Sequence, residues 1–198
     1  MNKIKTAILV TGTPGVGKTT VANKLASRLD AACICITEMV KNEKLITATD
    51  EQRQTLVADT KKLTKRVQDM LMELEGNIIL EGHYVVDVVP KEHVNTVVVL
   101  RRDPHELKEV LEKRGYSEKK VWENIAAEVL DVCLWDAIST CGVENVCEID
   151  VSNKTVETVI EEIVLVLERK QECTSGTIDW LGKLEITGEL DEFLKKIG

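Results

Sequence analysis

The stretch Gly12-Thr13-Pro14-Gly15-Val16-Gly17-Lys18-Thr19-Thr20 follows directly on the apolar run Thr6-Ala7-Ile8-Leu9-Val10 and leads into a helical pattern. Its spacing, G-x-x-x-x-G-K-[ST] between a buried strand and a helix, is the setting in which such a motif builds a phosphate-binding loop. Gly12, Gly15 and Gly17 permit positive φ and close backbone approach, so consecutive N–H groups turn inward around an anion. The helix starting near Lys18 adds the positive end of its dipole. Lys18 is expected to reach the β- and γ-phosphates and the Thr19 hydroxyl to ligate Mg²⁺, with Thr20 adding a hydroxyl at the α-phosphate. These groups specify a nucleoside triphosphate with magnesium. The competing account, a chance glycine-rich turn, does not explain the strand before it and the helix after it.

The 198 residues hold one full core. Aromatics number six, so that core must be built of Val, Ile and Leu. Buried-strand patterns at 4–10, 33–36, 78–83, 94–100 and 145–149 alternate with helical ones. The helices are expected at 18–30, from Thr37, up to about Glu75, from Asp103, from Ser117 to about Ser139, and over 156–167. Residues 46–54 show no periodicity and are expected to be an exposed, mobile loop. The alternation specifies an α/β fold with a five-stranded parallel sheet covered by helices on both faces. Ligands in such sheets bind beyond the carboxyl ends of the strands, which puts the loop, Glu81 with His83, and Arg101 with Arg102 on one rim.

The net charge of −8 argues against a general nucleic-acid surface, although Lys113, Arg114, Lys119 and Lys120 form a local basic cluster. No C-x-x-C pair occurs among the six cysteines, so reduced, mostly buried thiols are expected. No apolar run is long enough for a membrane span, and the stretch after Lys3 and Lys5 is too short for a signal peptide. A cytoplasmic location is expected, or a nuclear one in a eukaryote. Residues 172–177 read as a linker, and Leu190, Phe193, Leu194 and Ile197 as one face of a short amphipathic helix. The chain is thus expected to divide into a nucleotide-binding domain, 1–170, and a tail, 171–198, whose helix packs on the core or docks a partner.

A GTPase switch would carry an Asn-Lys-x-Asp motif; Asn23-Lys24 and Asn153-Lys154 lack the Asp, and Asp179-Trp180-Leu181-Gly182 mimics D-x-x-G far from any strand. A small phosphotransferase fits better. It needs a cover bearing cations over the phosphates, and Arg114-Gly115-Tyr116-Ser117-Glu118-Lys119-Lys120 between two helices provides one; a solvated interhelical turn is the plainer alternative.

GTPGVGKTT, the Ile-Ile-Leu-Glu-x-His strand end, Val-Leu-Arg-x-Asp and Arg-Gly-Tyr-Ser-Glu-Lys-Lys with Glu-Asn-Ile after it together resemble the adenylate kinase isoenzyme 6 family, in particular its archaeal branch. The resemblance covers about residues 6–170. It implies an adenylate-kinase-like fold with an acceptor-binding segment at about 35–58 and a lid at about 113–123. It further implies nucleoside-monophosphate kinase activity, ATP plus AMP giving two ADP, a slow ATPase, and a role in small ribosomal subunit maturation through transient contact with a small-subunit ribosomal protein. Carried over by position, Gly15, Gly17, Lys18, Thr19, Thr20 and Arg114 bind ATP, and Thr19 ligates Mg²⁺. Glu81 holds a Mg²⁺-bound water, His83 orients water or a phosphate oxygen, and Arg101 supports the transferring phosphate unless it pairs with Asp103. Lys41 stands on the acceptor helix where relatives often have Arg, and Val110, just before the lid, likewise stands where relatives often have Arg. Fewer forked cations weaken the acceptor grip, so an ATP-gated assembly factor and a small-metabolite kinase stay open as alternatives.

Overall fold

The computed structural model describes residues 7–50, 55–74 and 76–197. Strand β1 (Ala7–Thr11) runs into the loop and helix α1 (Lys18–Leu29); β2 (Ala31–Cys35) and α2 (Ile36–Asn42) follow. Then come β3 (Ile46–Asp50), β4 (Thr55–Ala58), α3 (Thr60–Glu73), β5 (Asn77–Glu81) and the single turn α4 (Val85–Val88). The second half comprises β6 (Val94–Arg101), α5 (Pro104–Lys113), α6 (Glu118–Val129), α7 (Val132–Cys141), β7 (Val146–Asp150) and α8 (Val156–Leu167). Helices α9 (Trp180–Thr187) and α10 (Leu190–Ile197) complete it.

Five strands form one parallel sheet in the order β2-β5-β1-β6-β7. β1 is central, so the loop leaving it is flanked by the ends of β5 and β6. One apolar cluster, around Val10, Leu25, Leu107 and Ile163, fills one face of the sheet; another, around Leu9, Leu63, Val67 and Val99, fills the other. Both are mostly aliphatic, because the chain has few rings to offer.

Several expectations are corrected. Residues 46–50 of the expected loop 46–54 are a strand: β3 pairs antiparallel with β4 as a separate two-stranded sheet. Period-2 patterning is hidden there by Thr and Ala, which sit in strands without marking an inner face. The helix expected from Ser117 to Ser139 is two, separated at Leu130-Asp131, where Asp131 takes φ 57°. The stretch 172–177 is no linker: Glu148 N–H donates to Thr174 O (2.8 Å), so it straps along β7, and Cys173 forms a disulfide with Cys147. That corrects the expectation of six thiols; pairing across 26 residues depends on a chain reversal no spacing announces. Among the described residues, Cys33, Cys35, Cys133 and Cys141 stay reduced. Beyond the strap, Trp180, Leu184 and Phe193 are buried in the first cluster, so the terminal helices pack on the core. Asp179 of the D-x-x-G mimic is a helix cap, accepting from Gly182 N–H at 2.7 Å. Residues 4–6, 51–54, Glu75 and Gly198 of the expected elements, and with them Arg53, lie outside the described residues.

Candidate active site

The phosphate loop is shaped by where its glycines stand. Gly12 has φ 135°, and a Cβ there would lie 2.4 Å from the Leu100 carbonyl of β6; only a residue without a side chain lets the chain turn against that strand. Gly15 (φ 101°) is pressed onto Leu107 and Leu111 of α5, and Gly17 (φ 107°) stands before α1. Val16 N–H donates to Thr13 O at 3.3 Å, while among the described residues the amides of Gly15, Gly17 and Lys18 have no protein acceptor. Such amides at a helix start are built to receive an anion.

Lys18 Nζ lies within the loop, donating to Gly12 O (2.7 Å) and Thr13 O (3.0 Å). Burial pulls its pKa below the ordinary lysine value, against the attraction of Cys133, Glu81 and Glu128. A partly desolvated ammonium held by two carbonyls gains most from a ligand that brings negative charge. Beside it, Thr19 Oγ1 donates to Glu81 Oε1 at 2.9 Å. Among the described residues no three His, Cys, Asp or Glu side chains could hold a metal unaided. The hard oxygens of Thr19 and Glu81 suit Mg²⁺, which takes few protein ligands and completes its shell with phosphate and water.

These groups line one cavity of about 910 Å³. Gly15, Gly17, Lys18, Thr19, Thr20, Glu81, His83 and Arg114 all contribute, and so does Lys41. His83 opens onto the cleft with its ring edge-on to Tyr84 (centroids 4.2 Å apart). Desolvation, with the Lys18 charge second, lowers its pKa to about 4, so its imidazole is neutral at physiological pH. Arg114 ends α5 in a tight turn: Gly115 has φ 76°, and Tyr116 N–H reaches back to Leu111 O at 3.2 Å. The expected lid is this ordered turn together with the start of α6. Lys120, also on the cavity wall, stands 5.4 Å from the Tyr116 ring, whereas Lys113 pairs with Glu109. The basic cluster is thereby divided.

Arg101 is the correction here. Its side chain is 2 % exposed and does not line the cavity. Its guanidinium holds Glu128 (Nε to Oε1, 2.8 Å; Nη2 to the backbone O, 2.8 Å), Glu148 and Asp131, not a phosphate, and not Asp103, which pairs with Lys183. The signal was present in the sequence: Glu128 stands on the same helical stripe as Val121 and Ile125, and Glu148 inside the strand Val-Cys-Glu-Ile, so both carboxylates were bound inward.

Other cavity residues carried no motif. Tyr84, Asp87, Cys133 and Asp136 line it from α4, the turn before it, and α7. Burial raises the Asp87 pKa, with Asp136 adding repulsion, and burial raises that of Cys133. Glu38 and Lys41 of α2 line the same cavity.

An AAA domain matches residues 8–131. A protein of Methanocaldococcus jannaschii named "Putative adenylate kinase" is 45% identical over 176 residues, covering 89% of this chain and 93% of its own. One of Sulfurisphaera tokodaii with the same name is 34% identical over 179 residues, covering 90% and 88%. In structure the chain resembles thymidylate kinase from Candida albicans (TM-score 0.53, 18% identity, 84% of this chain and 92% of that one). It also resembles shikimate kinase from Bacteroides thetaiotaomicron (TM-score 0.51, 14% identity, 82% and 98%). The parallel sheet, loop and flanking helices are those of the phosphate-loop kinase fold.

Proposed function

Because the chain belongs to the AAA-domain family and to the group of archaeal proteins that carry the adenylate kinase name, we propose that it is a nucleoside monophosphate kinase. In this reading the γ-phosphoryl group of ATP passes to AMP or another monophosphate, ATP plus AMP giving two ADP, with slow ATP hydrolysis alongside. The observation that carries it is the row of unengaged loop amides beside Lys18 and the Thr19–Glu81 pair, on a cavity long enough to extend past them to Lys41.

Little covalent chemistry falls to the protein in such a transfer; it aligns the two phosphates and neutralises the charge that builds between them. The loop amides grip the donor phosphates, Lys18 exchanges its two carbonyls for β- and γ-oxygens, and Arg114 covers them from the lid turn. Thr19 and, through water, Glu81 would hold Mg²⁺, which would supply charge neutralisation to the phosphates when bound. His83, being neutral, donates a hydrogen bond to a phosphate oxygen or a water without adding charge. Lys41 receives the acceptor phosphate, and the cavity carboxylates Glu38, Asp87 and Asp136 accept hydrogen bonds from the acceptor's hydroxyl and amino groups. The acceptor phosphate oxygen attacks in line and ADP leaves. A cytoplasmic setting belongs to the same reading.

ADP formation from ATP alone, set against ATP plus each of several monophosphates, tests it. Strong stimulation by AMP is the expected result; equal rates throughout would remove the kinase assignment. A second reading, an ATP-gated assembly factor that touches a small-subunit ribosomal protein, is favoured by Lys41, which cannot make a guanidinium's forked grip on an acceptor phosphate. Calorimetry in which ATP left the affinity for that protein unchanged would eliminate it.

A further inference from the structure

Glu128 lies outside the cavity and yet holds the loop that builds it. The carboxylate is 1% exposed. Its Oε1 accepts from Arg101 Nε (2.8 Å), Arg102 N–H (3.0 Å) and Trp180 Nε1 (3.2 Å), and its Oε2 accepts from the Thr13 hydroxyl (2.5 Å). Three donors from β6, the residue after it and α9 therefore fix one oxygen, which aims the other at the loop. Thr13 in turn offers its carbonyl to Val16 N–H and to Lys18 Nζ, so its position decides where the turn and the ammonium lie. Behind Arg101 the strap repeats the pattern: Thr177 N–H (2.9 Å) and Ile178 N–H (3.3 Å) both donate to Glu148 Oε2, whose other oxygen holds Arg101.

We propose that Glu128 is the positioning residue of the donor site, setting the phosphate loop through Thr13, and that Trp180 orients it, so that the C-terminal segment is a working part of nucleotide binding. This rests on the reading of the cavity as an ATP site. A charged acceptor at 2.5 Å confines a hydroxyl more tightly than a neutral one, and a loop whose amides are confined in advance loses less freedom on taking up an anion.

Calorimetry with a non-hydrolysable ATP analogue and Mg²⁺ tests it on the full chain. Thr13→Val, close in shape and lacking the hydroxyl, is expected to weaken analogue binding about tenfold, Thr13→Ser to restore it, and Trp180→Phe to weaken it about threefold. The decisive measurement is the double variant. Because Trp180 acts through Thr13, adding Trp180→Phe to Thr13→Val should cost nothing further. Full additivity, or unchanged affinity in Thr13→Val, would overturn the inference while leaving the ATP site intact; a wild-type chain that does not bind the analogue would overturn both. If Thr13→Val does not fold, Trp180→Phe set against Trp180→Leu carries the test: loss of analogue affinity in both, at unchanged Tm, supports the role, and unchanged affinity in both sinks it.

Discussion

The two strands that flank β1 deliver charged residues to the same rim, and the two ends have opposite fates. β5 ends in Glu81 and continues to His83, both on the cavity wall, with Glu81 meeting the Thr19 hydroxyl. β6 ends in Arg101, roofed by α6 and α9 and ringed by Glu128, Asp131 and Glu148. The difference lies in what covers each strand end. Where the following chain turns away, as at Gly82-His83, the residue faces ligand; where a helix folds back carrying a carboxylate, the residue becomes part of the frame. A cation beyond a strand is thus a candidate for chemistry only if no protein anion reaches it first.

Substitutions sharpen that contrast. Arg101→Met should reduce stability most, by about 3–5 kcal/mol in urea unfolding, because it leaves two buried carboxylates without their counter-charge. Lys18→Ala should do the reverse, reducing phosphoryl transfer by about 3 kcal/mol in transition-state terms while Tm holds or rises, since a cation disfavoured by burial is removed. Equal losses of stability and turnover in both variants would erase the distinction between the two strand ends. Cys173→Ser, which releases the strap behind Arg101, should lower stability by about 2–3 kcal/mol, and added dithiothreitol should bring the wild type to the same level.

The smallest effect concerns His83 on the open side. Its pKa in the folded state, about 4, lies below the ordinary histidine value of 6.5, so the unfolded chain binds the extra proton first as pH falls. Its contribution to stability is therefore complete above pH 6.5 and declines between there and pH 4. In His83→Gln the fall of Tm over that window should be shallower. A wild-type fall no steeper than the variant's would show that the ring is not held neutral.

Periodicity and one motif made the sheet, its central strand and the loop legible, because aliphatic strands and G-x-x-x-x-G-K-T have few other uses. The helix start at Asp103 was equally plain, and Asp103 accepts from His105 N–H at 2.9 Å. Glu106, in the first turn of that helix, accepts from Asn153 N–H (3.0 Å), a partner 47 residues away. Distance in sequence hid most of the rest. The Arg101 cluster draws on residues 101, 128, 131 and 148, and part of the cavity wall on α2, α4 and α7, none of which carries a pattern of its own. The β3–β4 hairpin escaped for a local reason, since Thr and Ala mark neither face of a strand.

The donors that Thr177, Ile178 and Trp180 give to Glu148 and Glu128 also order events in time. During synthesis, Thr13 is complete more than 160 residues before Trp180, so Glu128 acquires its last donor only at the end of a long wait. A nascent chain should therefore acquire its hold on nucleotide late, when the strap has closed.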